Sequence, residues 1–543
     1  MRAALLSSLC LMLFLPAYAQ DVESMESEEV DEEHEVHAPP HLVSRAKYKK
    51  LTPTADEVFA LHLNVPRMTL SETCETDLCN SLVELIENAE SSIDFAIYGV
   101  RGQPQVLYAL LEAKKRGVKI RGVVDRTVDG KNYYSDTDWM VEQLGTVRDD
   151  LESDRREAER RRAAVPFVSR CWLPMPTGFN GPKQCVGYDI GDNQCVIGVH
   201  SSREEIVFSG EIMHNKFFVV DERYVWMGST NASDSGTGGY NANVVGVWNS
   251  PFIASWYTNE FNQMYERGQY HDEKARQGTM IARFPEQGIT VEGLFSPQDK
   301  PITNGVRPLL QNAQERIDLA VFYLTHKQIA ADLIAAHQRG VQVRVIVDAT
   351  SAKNGFTKHE VLRQAGIPVK IENWGGKMHA KAVAIDGQHI VIGSMNWTSA
   401  GEGGNDENTM IVHSRRDADK FHDYFDGLWD MIPDKWLDGR PDPESWDSKN
   451  ACKDGVDNDY DHEADREDPG CSRNPPPMDG LPPITVVPKE PGHELVKGVS
   501  SVFAGDVYYT PNNPRYGQVK VKKPELWFCS EYEAREAGLK RAK

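Results

Sequence analysis

The apolar positions of this chain fall in short, dense, β-branched runs separated by amphipathic stretches. "VKIRGVVD" (118–125) and "VQVRVIVD" (341–348) are too short for buried helices and too continuous for strands with one wet face, so they predict strands covered on both sides. "QVLYALLEAKKRG" (105–117), just before the first of them, spaces its apolar residues as one helical face and ends on a glycine. That predicts an amphipathic helix. Strands and helices that alternate, with the strands buried, predict an α/β layered fold with a parallel or mixed sheet.

The pattern occurs twice. "ENAESSIDFAIYGV" (87–100) matches "QNAQERIDLAVFYL" (311–324), and "KKRGVKIRGVVDRT" (114–127) matches "HQRGVQVRVIVDAT" (337–350), so matching segments lie 224 or 223 positions apart. A later pair, "EIMHNKFFVVDERYVWMGSTN" (211–231) and "GKMHAKAVAIDGQHIVIGSMN" (376–396), is only 165 positions apart. The first copy therefore carries about 59 extra residues, between roughly 147 and 206. They include "DDLESDRREAERRRAA", which reads as a charged surface helix, and a Gly/Pro-rich stretch with Cys171, Cys185 and Cys195. Such an insertion is either a lid over substrate or a disulfide-pinned surface loop.

The later pair holds the candidate chemistry. Each copy reads His, one residue, Lys, four residues, Asp, six residues, Gly-Ser, one residue, Asn. The first set is His214, Lys216, Asp221, Gly228, Ser229 and Asn231; the second is His379, Lys381, Asp386, Gly393, Ser394 and Asn396. Given a histidine, five more fixed positions coincide by chance on the order of once in 10^7. On a strand, residues two apart share a face, so each His–Lys pair is expected to point into one cleft. Each Asp has the opposite parity, near the strand end, and is expected to support the site. Two imidazoles, two ammoniums and two amides converging on one point suit a tetrahedral anion, phosphate above all. The other fourteen histidines, His62, His200, His337 and His389 among them, read as packed or surface residues.

Composition refines the picture. With 543 residues, 40% of them hydrophobic, the chain is long enough for several cores. "MRAALLSSLCLMLFLPAYAQ" joins an arginine, an apolar run and an Ala-Tyr-Ala end, the pattern of a secretory signal cleaved after Ala19; the competing reading is a membrane anchor. Export to the periplasm or the exterior is the expectation. Loss of Cys10 then leaves eight cysteines, an even set that favours disulfides among 105 possible pairings, with Cys452–Cys471 the first choice because the two bracket one loop. The net charge of −21 is uneven: residues 21–37 carry −9 and residues 452–471 carry −6. The body is thus only mildly acidic, a weak argument against non-specific nucleic-acid binding.

The duplicated HxKx4D signature, over about residues 80–435, closely resembles the phospholipase D superfamily. The resemblance implies two similar α/β halves, each a mixed β-sheet flanked by helices, packed about a pseudo-twofold with the active site at their junction. It implies that one histidine attacks phosphorus to give a phosphohistidine while the other protonates the leaving alcohol, with no metal cofactor. By analogy His214 is the nucleophile and His379 the acid. Family members often carry a Glu eleven residues after the Asn to orient a histidine. Glu407 stands there in the second half and Ala242 in the first, with Asn243 and Asn408 one residue later. The implied substrate is a phospholipid at a membrane surface, with nucleic acid as the alternative. One chain holds both motifs, so a monomer suffices.

These readings divide the chain into a signal (1–19), an acidic leader (20–54), a first half (55–270), a second half (271–440), an Asp-rich loop (452–471), a linker (472–498) and a terminal module (499–543). In the Asp-rich loop, Asp457, Asp459, Asp461, Glu463, Asp465 and Asp468 fall at positions 1, 3, 5, 7, 9 and 12 of a calcium-type loop. It resembles the Asp-rich calcium repeats of extracellular proteins, with His462 where Gly is usual. A structural calcium ion is one expectation and a solvated acidic linker the other. The last residues resemble the end of an Ada-like metal-binding module without its companion ligands, so no zinc is expected there.

Overall fold

The computed structural model describes residues 50–164, 210–353 and 357–445, parts of 446–543, and two two-residue strands at 186–187 and 195–196. The signal, most of the leader, most of the insertion and most of the linker lie outside the described residues. The chain divides into two compact units, one spanning residues 22–158 and 209–479, the other including 480–543.

Two mixed sheets form the larger unit. The first runs in the order Phe59–Asn64, Asn243–Asn249, Tyr224–Gly228, Lys216–Val220, Ser92–Ile97, Lys119–Val124 and Val147–Asp149. The second runs Met280–Phe284, Ile289–Ser296, Glu407–His413, His389–Gly393, Lys381–Ile385, Arg316–Val321, Gln342–Val347 and Val369–Ile371. Apart from the extra edge strand Met280–Phe284, order and sense correspond strand by strand, antiparallel up to Ser92–Ile97 or Arg316–Val321 and parallel beyond.

Strict period-two alternation explains why the strands read as unbroken apolar runs. Phe217 and Val219, like Ala382 and Ala384, enter one core shared by both sheets and by the helices Pro251–Tyr265 and Arg415–Met431. Phe218 and Val220 enter an outer core with the helices Asp77–Asn88 and Pro104–Lys115. Val383 and Ile385 enter its counterpart in the second half with Lys327–Gln338. Both faces of each sheet are dry, which rewards branched apolar residues at every position.

The boundaries move. Leu51 and Thr52, assigned to the leader, are buried and bonded to Glu84, so order begins before residue 55. The strand Val496–Ser501 starts three residues before the terminal module was expected, and it pairs within a four-stranded sheet. The charged helix spans Leu151–Ala164, but it is not purely a surface helix, because Asp154 and Ala158 are buried. Cys452 and Cys471 are disulfide-bonded, as are Cys74 and Cys79. No described helix is long and apolar enough to cross a membrane.

Candidate active site

Neither histidine sits in a strand. Lys216 and Lys381 open their strands, and the residues before them cross to the other half, in reciprocal bridges between Met213 and Asp406 and between Ala242 and Met378. The shared-face expectation therefore gives way to a crossing. His379 N donates to the Ala242 carbonyl (3.0 Å), and Asp406 N to the Ile212 carbonyl (2.9 Å). Two aspartates at the ends of parallel strands fix the approach: Asp125 Oδ1 accepts from Met213 N (2.9 Å), and Asp348 Oδ2 from Met378 N (3.0 Å).

Each imidazole is held by the opposite half. His214 Nδ1 lies 2.8 Å from Glu407 Oε1, and His379 Nδ1 lies 3.1 Å from Asn243 Oδ1. Both acceptors also take a serine hydroxyl, Glu407 Oε2 from Ser394 (2.5 Å) and Asn243 Oδ1 from Ser229 (2.9 Å). With Glu407 ionised and the Asn243 amide oxygen facing His379, Nδ1 carries the proton in each ring, and Nε2 is left as the nitrogen that does chemistry. Each lysine ammonium donates to the carbonyl of its own histidine, Lys216 to His214 at 3.0 Å and Lys381 to His379 at 2.9 Å. The ammoniums lie over aromatic rings, Lys216 over Tyr98 (5.6 Å) and Lys381 over Phe322 (5.0 Å). Those rings also pack against the two imidazoles.

The carboxyl between the halves is strongly perturbed. Burial pushes Glu407 up to about 8, against the pull of Lys216, the Ser394 hydroxyl and Lys381. His214 of the first motif and Ser394 of the second meet on the two oxygens of this one carboxyl, so the two motifs converge. His214, Lys216, His379, Lys381 and Glu407 are all buried. Asn396 has no hydrogen-bond partner on either amide atom, and Asn231 donates to the Tyr134 hydroxyl (2.9 Å) while its Oδ1 has none. Buried amides with unused atoms are suited to bind an anionic ligand.

The residue correspondence read from sequence needs correcting. Ser229 N bonds to the Val244 carbonyl and Ser394 N to the Asn408 carbonyl, so Val244 matches Asn408 and Asn243 matches Glu407. The first loop is one residue longer, which equal spacing could not reveal. Gly228 and Gly393 permit these contacts, since a Cβ on either would fall 2.2 Å or 2.1 Å from a carbonyl oxygen of the neighbouring strand.

Asp221 and Asp386 stand away from the chemistry. Each occupies a left-handed turn (φ 52° and 55°) and caps the start of the neighbouring strand. Asp221 accepts from the N–H groups of Glu90, Ser91 and Ser92, and Asp386 from those of Gln314, Glu315 and Arg316. Short polar residues tolerate this conformation, which accounts for Asp at these positions. Sequence reasoning missed Tyr98, Phe322, Asp125 and Asp348 as site-building residues, although all four end or follow the strands of the duplicated segments.

In the Asp-rich loop, Asp457, Asp459 and Asp461 lie outside the described residues. Asp465 receives the N–H groups of Asp454 and Gly455 at 3.0 Å each, and Asp468 that of Gly470.

A family model described as "Cardiolipin synthase, PLD-like domain" matches residues 82–265 and 306–429. The chain is 32% identical over 169 residues to a mitochondrial cardiolipin hydrolase of Chlamydomonas reinhardtii, covering 27% of this chain and 76% of that one. It is 32% identical over 119 residues to a phospholipase D of Rickettsia bellii, covering 22% and 59%. Among solved structures, a phosphatidylserine synthase of Haemophilus influenzae aligns over 67% of this chain and 84% of its own, with TM-score 0.43 and 13% identity. Nuc of Salmonella typhimurium aligns over 27% and 97%, with TM-score 0.25 and 24% identity.

Proposed function

Because the chain belongs to the phospholipase D superfamily, we propose that it hydrolyses the headgroup phosphodiester of phospholipids through a phosphohistidine on His214. One observation carries the assignment of roles: His214 is backed by a carboxylate and His379 by an amide.

In this reading His214 Nε2 attacks phosphorus, and the bond from phosphorus to the headgroup oxygen breaks. The positive charge that forms on the imidazole is compensated by Glu407 across Nδ1–H. His379 enters the cycle protonated on both nitrogens and hands its Nε2 proton to the departing alkoxide, while its Nδ1–H stays bonded to the neutral Asn243 amide. Water then attacks the phosphohistidine and gives a proton to His379 as the P–N bond breaks, releasing phosphatidate. Lys216, Lys381, Asn231 and Asn396 hold the non-bridging oxygens, and the serines hold the acceptors in place.

A lipid substrate is supported by the activities of the relatives and by an exposed apolar loop. The loop bearing exposed Val65 and Met68 is tied through Arg67 N to the Gly239 carbonyl (2.9 Å), three residues before the Ala242 that binds His379 N. Apolar side chains there suit a bilayer interface better than a polyanion. The test incubates purified protein with phosphatidylcholine or cardiolipin vesicles and, separately, with single-stranded DNA, after brief chelation. Headgroup release that disappears in both His214→Ala and His379→Ala is expected. Cleaved DNA with intact vesicles would make the protein a nuclease.

We also place the mature protein outside the cytoplasm, on the strength of the first twenty residues. Sequencing of exported material should begin at Gln20, and protein found only in the cytosol with its leader intact would refute this.

A further inference from the structure

Behind the His214–Glu407 pair lies a second cluster that the proposed reaction does not use. Asp150 and Asp154 stand one helical turn apart, and His271 projects between them from the far side. All three are buried, and one ligand atom from each lies within 4.8 Å of the others. Asp150 Oδ1 accepts from Arg126 N (2.6 Å) and Asp154 Oδ1 from Glu211 N (3.2 Å), while Oδ2 of both and both ring nitrogens of His271 have no hydrogen-bond partner.

The spacing fits a metal ion as well as it fits an ion pair. His271 Nε2 is 3.6 Å from Asp150 Oδ2 and 3.3 Å from Asp154 Oδ1. An N–H···O bond would close to about 2.7–3.2 Å, whereas ligands about 2.0–2.1 Å from a tetrahedral zinc ion stand roughly 3.3–3.4 Å apart. The opposite ring nitrogen, Nδ1, lies 3.2 Å from Asp406 Oδ2, the arrangement in which an outer carboxylate orients a metal-binding histidine. Asp125, Asp150, Asp154, Asp406 and Glu260 are buried here beside the basic groups His271 and Lys274. An open cleft of about 800 Å³ is lined by Ser153 and Tyr270, the chain neighbours of Asp154 and His271.

We propose that Asp150, Asp154 and His271 bind one first-row divalent cation, zinc being the best match to one imidazole and two carboxylates. Asp406 orients the imidazole and is also bonded to the His271 N–H (2.8 Å) and the Lys274 ammonium (2.7 Å). It immediately precedes Glu407, so the ion would brace the segment that holds His214. Its role is positioning, outside the phosphoryl-transfer step.

The test is metal analysis and X-ray absorption on whole protein produced with zinc and purified without chelator. About one zinc per chain is expected, bound by oxygen and one imidazole at about 2.0–2.1 Å without sulfur. His271→Gln and Asp154→Asn should each lower the zinc content at least tenfold. Folded protein with under about a tenth of an equivalent, a sulfur shell, or undiminished zinc in both variants would overturn the proposal. If the variants do not fold, the spectrum of the unaltered protein decides alone.

Discussion

The two halves present the same imidazole–lysine pair on the same scaffold, yet they differ in what each lends the other. The second half lends His214 a carboxylate, and the first half lends His379 an amide, each braced by the serine of its own Gly-Ser-x-Asn segment. Asn231 is tethered to Tyr134, whereas Asn396 is untethered. A duplicated fold thus supplies two nearly identical rings, and a single residue pair, Glu407 against Asn243, makes one better suited to carry positive charge and the other to give a proton away. Similar geometry with unequal electrostatics is how one site obtains a nucleophile and an acid.

Removing each ring should break the comparison most sharply. His214→Ala is expected to lose on the order of 10^4-fold or more in kcat with any leaving group, since the bond-forming atom is gone. His379→Ala should lose about 10^2–10^4-fold on phospholipid. It should retain a fast first step on bis(p-nitrophenyl) phosphate, whose leaving group needs no proton. Stopped-flow release of nitrophenolate checks this, and equal loss in both variants would mean that the rings are equivalent.

Glu407→Gln, which makes the halves alike, should cost roughly 10–10^3-fold in kcat. The carboxyl ionises near 8, so activity of the unaltered protein should rise as pH passes through that value, and the rise should vanish in the variant. Stability carries the opposite sign. A carboxyl raised from 4.5 to about 8 favours the folded state fully below 4.5 and loses that contribution as pH climbs through 8. Thermal melts should therefore fall over this window by more in the unaltered protein than in Glu407→Gln.

The smallest effects belong to the features the halves share. Asp221→Ala and Asp386→Ala each remove three backbone caps and should cost about 1–3 kcal/mol of stability with kcat nearly unchanged at low temperature. A large loss of kcat in a folded variant would return these aspartates to the chemistry.

How much of this was legible in the sequence follows from range. The buried strands announce themselves because both faces demand apolar residues, and the two motifs stand out because a fixed constellation recurs at fixed spacing. The partnership of His214 with Glu407 spans 193 positions and crosses the halves, so no local pattern carries it. One extra residue between Asn231 and Asn243 was enough to pair Glu407 with Ala242 on paper. His271, read as an ordinary packed histidine, meets acids at positions 150, 154 and 406, which only the fold brings together.

The most direct test of the central claim is to trap the covalent intermediate. His379→Ala mixed with bis(p-nitrophenyl) phosphate should form the adduct but lack the base for its hydrolysis, and peptide mass spectrometry after a rapid quench at alkaline pH locates it. The account predicts a nitrophenylphosphoryl group on His214. The same group on any other residue, or nitrophenolate released repeatedly without an adduct, would contradict it.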